Sequence, residues 1–83
     1  MKEKVLSIIN EIRAAKEMAP VETISAETKL REDLNLTSFD LAELTVKIED
    51  EFDIIIWNEV ESRTSAMTFT ELCNIVEEKV RKS

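Results

Sequence analysis

The chain has 83 residues and a formal net charge of −7, with 35% charged and 5% aromatic residues, no Gly, no His, one Pro and one Cys. This length suits one domain spanning residues 1–83, and the lack of glycine favours helices joined by polar loops over tight hairpins. It also excludes a glycine-rich phosphate loop, any His-assisted nucleophile or imidazole metal site, an intramolecular disulfide and a thiolate metal cluster.

The first helix is predicted over residues 2 to about 16. Val5, Ile8, Ile9 and Ile12 recur at helical spacing, with Lys4, Glu11 and Arg13 off that stripe. Pro20 turns the chain away from helix, and residues 18–37 read as a long connection carrying the apolar anchors Val21, Ile24, Leu30, Leu34 and Leu36. A connection of that length in a small domain points to function. The second helix is predicted to start at Ser38, because Thr37 and Asp40 match the ends of a capping box. Its inward stripe is Leu41, Leu44, Ile48 and Phe52, and Asp53 lies beyond its end.

A short third helix is predicted over residues 57–62, with Trp57 and Val60 inward, followed by a loop over 63–67. Thr68 and Glu71 form a second capping box that opens a last helix running to about Arg81. Phe69, Leu72, Cys73, Val76 and Val80 make its apolar face, so Cys73 reads as a core residue. Lys79, Arg81 and Lys82 complement the dipole at its end. The predicted fold is all-α: an up-and-down bundle of three main helices and one short one, with a long first loop.

Charge is concentrated in the middle of the chain. Residues 31–53 hold Arg31 and Lys47 against eight acids, a local net charge of −6, while residues 1–30 are neutral. A surface of that sign repels nucleic acid and suits protein partners with basic docking surfaces. The longest apolar run, Ile54-Ile55-Ile56-Trp57, is too short to span a bilayer. No secretory signal is evident, and with a single thiol the expected location is the cytoplasm. Asp33, Asn35 and Thr37 have the opening spacing of a calcium loop, but Ser38 stands where that loop needs Gly and Leu44 where it needs an acid, so no metal site is expected.

The chemistry-bearing stretch is Asp33-Leu34-Asn35-Leu36-Thr37-Ser38-Phe39-Asp40. A serine at a helix start has its hydroxyl near orphan N–H groups and the positive end of the dipole, where an attached phosphodiester is favoured. The helix then offers a small apolar set, Phe39, Ala42 and Val46, beside the acids Asp40, Glu43, Glu49 and Asp50. An apolar centre with a charged frame is the anatomy of a docking surface. For Phe39 itself, an exposed partner contact and a loop anchor are both open.

These residues, with Leu41-Ala42-Glu43-Leu44 and Ile48-Glu49-Asp50-Glu51-Phe52-Asp53-Ile54 after them, resemble the acyl carrier protein family, whose corresponding segments read approximately D-L-G-x-D-S-L-D-x-V-E-L and L-E-E-E-F-x-I. The resemblance extends to the first helix, the long loop and the start of the last helix. It implies a carrier and not an enzyme. Ser38 would hold 4′-phosphopantetheine, delivered from coenzyme A by a phosphopantetheinyl transferase, and the thiol of that arm would carry acyl or aminoacyl groups as thioesters.

Phe39, Asp40, Ala42, Glu43, Val46, Glu49 and Asp50 would meet the transferase and the loading and processing enzymes, with the carrier acting as a monomer. The chain departs from the family pattern at Asn35, Thr37 and Phe39, in place of Gly, Asp and Leu. The segment between Phe52 and Thr68 is similar in length to that of the D-alanyl and aminoacyl branch. The pathway stays open among fatty-acid, polyketide, nonribosomal-peptide and D-alanylation routes. An interaction module that keeps the fold without the arm is the alternative.

Overall fold

The computed structural model describes residues 2–63 and 66–82. Among these the chain forms α1 (Lys2–Ala15), α2 (Ser38–Phe52), α3 (Trp57–Glu61) and α4 (Phe69–Lys82), a small helical bundle. The four predicted helices are present with boundaries close to those expected. Of the predicted 63–67 loop, Thr64 and Ser65 lie outside the described residues. None of the helices is long and apolar enough to cross a membrane, and no group of acids and thiols among the described residues is placed to hold a metal.

The core is built from the stripes that the periodicity indicated. Val5, Ile8, Ile9 and Ile12 of α1 close on Leu41, Leu44 and Ile48 of α2 and on Phe69, Leu72, Cys73 and Val76 of α4. Phe52 and Val80, at the ends of their stripes, are only partly buried against it. The α1 and α2 helices run antiparallel. Lys16 just past the end of α1 meets Asp40 in the first turn of α2, while Lys4 at the start of α1 pairs with Glu51 near the end of α2. Burial pushes the Cys73 thiol up to about 11, so it behaves as a small core hydrophobe.

The long connection packs as part of the core. Leu30, Leu34 and Leu36 are buried, and Val21 and Ile24 rest partly buried against them. The Leu30 N–H donates to the Met67 carbonyl at 3.1 Å, and the Phe69 N–H to the Thr28 carbonyl at 2.8 Å. These bonds fasten the loop to the start of α4. Within the loop, the Asp33 and Leu34 N–H groups fold back onto the Lys29 carbonyl, and the Asp33 carboxylate accepts from the Lys29 N–H at 2.8 Å. Backbone groups that a loop would otherwise expose are thus paired.

The 54–57 segment differs from expectation. Ile54 and Ile56 are buried, while Ile55 is 70% and Trp57 40% exposed. Residues 54–56 belong to no helix, and the side chains before α3 are buried and exposed in turn. Trp57, predicted to point inward, is therefore turned toward solvent, and Ile56 takes the buried place beside Val60.

Left-handed backbone occurs at Glu17, Asn35 and Asp53, with φ of 61°, 57° and 55°. Glu17 ends α1 in a Schellman arrangement. Its N–H donates to the Ala14 carbonyl and the Met18 N–H reaches back to Arg13, both at 3.0 Å. A chain without glycine accepts about 1–2 kcal/mol of backbone strain at such a site, less for Asn and Asp.

Candidate functional site

The site begins with the local chemistry at the start of α2. Thr37 is the N-cap in extended conformation, with φ −81° and ψ 173°. Its hydroxyl accepts the Asp40 N–H at 3.1 Å, and the Asp40 carboxylate accepts the Thr37 N–H at 2.9 Å. This capping box satisfies two groups that a helix start leaves without partners. Ser38 is the first residue of the helix. It is exposed, and among the described residues its hydroxyl has no hydrogen-bond partner.

Asp40 was expected on the exposed acidic flank, and there the structure corrects the sequence reading. Asp40 is only 7% exposed. Besides Thr37, its carboxylate takes the Lys16 ammonium at 2.5 Å. Burial pushes the Asp40 carboxyl up, but the hydrogen bonds from Lys16 and Thr37 outweigh that effect and hold it below its ordinary value. The group organises the helix start and is not presented to solvent, because a cation just past the end of α1 reaches it first.

The other expected docking residues fall into two groups. Phe39 is 78% and Val46 59% exposed, Glu43 and Asp50 are exposed, and Ala42 is half-buried between them. Of the two roles open for Phe39, burial as a loop anchor is excluded. Glu49 is half-buried and partly committed. One of its carboxylate oxygens accepts the N–H groups of Ile56 at 2.9 Å and Trp57 at 3.1 Å, at the start of α3. Next to it, Val46, Asp50, Asp53, Ile54 and Ile55 border a shallow cleft of about 300 Å³. A second cleft, of about 390 Å³, lies beside the segment leading into α2, between Arg31, Glu32, Asn35, Leu36 and Thr37.

Two cations that sequence reasoning left unassigned converge on this segment. Arg13 donates to the carbonyls of Leu34 and Ala19, and Lys16 donates to the Asn35 carbonyl at 3.0 Å as well as to Asp40. Nothing local signals these contacts, since basic residues near a helix C-terminus already have a sufficient reason in the dipole.

The family model for the phosphopantetheine attachment site matches residues 4–59, from α1 into α3, with Ser38 inside the matched span. The chain belongs to that family. It is a carrier protein that holds 4′-phosphopantetheine covalently, and it is not an enzyme. Carriers of this family work with a phosphopantetheinyl transferase and with biosynthetic enzymes. No match was found among curated proteins or among solved structures.

The first turn of α2 fits such a group. It presents a hydroxyl at a helix N-terminus, where a phosphodiester is favoured, with no hydrogen bond to break first among the described residues. The carrier's Asn35 stands at the Gly of the family pattern and adopts the left-handed conformation that glycine takes most easily. Thr37 keeps the cap although it lacks the charge of the usual Asp.

Proposed function

We propose that Ser38 is the attachment residue, and that the arm on it carries acyl or aminoacyl groups as thioesters between enzymes with basic docking surfaces. The observation that carries this reading is the exposed Ser38 hydroxyl at the first position of α2, without a hydrogen-bond partner among the described residues and beside an exposed apolar and acidic face. In the loading step the Ser38 oxygen bonds to the pantetheine-side phosphorus of coenzyme A. The pyrophosphate link breaks, adenosine 3′,5′-bisphosphate leaves, and the hydroxyl proton passes to a base on the transferase.

The carrier's residues divide the remaining work. Thr37 and Asp40 keep the first turn wound so that Ser38 stands clear of the loop. Phe39, Ala42 and Val46 supply apolar contact, while Glu43, Asp50 and the open side of Glu49 attract and orient a basic partner. Binding of this kind is fast and salt-sensitive, since exposed charges more than about 8–10 Å apart are largely screened at physiological salt. The net charge of −7 favours a monomer through self-repulsion.

Incubation with coenzyme A and a phosphopantetheinyl transferase, followed by intact-mass analysis, tests the reading. One phosphopantetheine is expected on the native chain and none on Ser38→Ala. No mass gain with several transferases, or a gain that persists in Ser38→Ala, would sink it.

A further inference from the structure

The capping box defines where α2 starts, but it is local and cannot orient that start relative to the rest of the molecule. Besides the core packing of Leu34, Leu36 and Leu41, the long-range polar ties are the two cations at the end of α1. Lys16 grips the chain on both sides of Ser38, at the Asn35 carbonyl three residues before it (3.0 Å) and at the Asp40 carboxylate two residues after it (2.5 Å). Arg13 holds the preceding carbonyl, that of Leu34, and with its remaining donors the Ala19 carbonyl at 3.1 and 3.2 Å. The gripped backbone includes the left-handed Asn35.

We propose that Lys16, assisted by Arg13, is a positioning residue for arm transfer: by bridging Asn35 and Asp40 it holds the Ser38 segment in the presentation that a transferase meets. The inference rests on Ser38 as the attachment residue. Lys16 is not a docking cation, because its charge is spent on Asp40. Removing it leaves the segment less ordered and at the same time uncovers an additional negative charge beside Ser38. Attraction to a basic transferase is then kept or strengthened while the reactive geometry is loosened. A docking residue would behave in the opposite way.

That contrast can be measured on the full chain, with coenzyme A and a phosphopantetheinyl transferase. Lys16→Met is expected to lower kcat for arm transfer by about fivefold or more, since small misplacements of a reacting group are costly, with KM for the carrier unchanged or lower. Lys16→Arg, which keeps a donor within reach of both partners, is expected to recover most of the rate. Ile9→Val, a buried change in α1 that removes none of the hydrogen bonds to the Ser38 segment, serves as the control for lost stability and should load with native kcat. Three outcomes would overturn the inference: native kcat in Lys16→Met, a loss in Lys16→Met that appears as raised KM, or an equal kcat loss in Ile9→Val. Failure of the native chain to load at all would instead remove the attachment residue itself, a distinct result that takes this inference with it.

Discussion

The backbone N–H of Ile56 donates at 2.9 Å to the carboxylate of Glu49, a residue on the preceding helix. The same oxygen accepts from Trp57, and the Glu49 backbone carbonyl accepts the N–H groups of both Asp53 and Ile54. One residue thus closes α2 with its backbone and opens α3 with its side chain. Ile56, the N-cap of α3, has no capping side chain of its own. Glu49→Ala is therefore expected to destabilise the fold by about 1–2 kcal/mol, in the range of a lost cap, while Glu49→Gln retains most of the stability. Urea unfolding of the two variants checks this, and equal losses would mean that the acceptor geometry is immaterial.

Glu43 and Asp50 are exposed, and neither has an ion pair among the described residues. The double variant Glu43→Lys, Asp50→Lys should therefore load far more slowly than the native carrier at low salt, with the thermal midpoint moved only a few degrees, as for surface substitutions generally. Transfer rates followed across a salt series test the electrostatic part. Rates that do not change with ionic strength would count against it.

Asp40 links stability to pH. Its folded pKa lies below the ordinary 3.8, so as the solution is acidified the unfolded chain takes up that proton first. The stabilisation is complete above the ordinary value and is lost as the pH falls through the lower folded value. Glu59, held low chiefly by its hydrogen bond from Lys79, adds a surface contribution of the same sign. Asp40→Asn should cost about 1–2 kcal/mol at neutral pH, and its thermal midpoint should converge on the native one as the pH falls below the lowered folded value. Parallel curves over the whole range would show that the charge on Asp40 contributes nothing.

Glu17 ends α1 in the left-handed region, at a position where glycine is the usual residue. Glu17→Gly is expected to stabilise the carrier by roughly 0.5–1 kcal/mol, the relief of side-chain strain being partly offset by the greater freedom of glycine in the unfolded chain. A rise of a few degrees in the thermal midpoint is the expected reading.

Ser38 and its cap were legible in the sequence because a capping box joins residues three apart, and no other part of the chain has to be known to recognise it. The inward stripes of α1, α2 and α4 were legible for the same reason, as periodicity is a local property. The third helix starts at Trp57 as its pattern indicated, but the orientation of Trp57 was not legible: it is exposed, and Ile56 just before the helix is buried instead.

By itself, then, the sequence determined an all-helical carrier with an exposed serine opening an acidic helix, together with most of its core. These features follow from spacing along the chain, and the resemblance around Ser38 supplied the arm. Only the tertiary structure decided which charges stay free. Asp40 and Glu49 look like their acidic neighbours in sequence, yet Asp40 is neutralised by Lys16, 24 residues away, and Glu49 is occupied by the amides of α3. The physical reason is that a charge's partner is set by which helix ends packing brings together, and that depends on how the whole core closes.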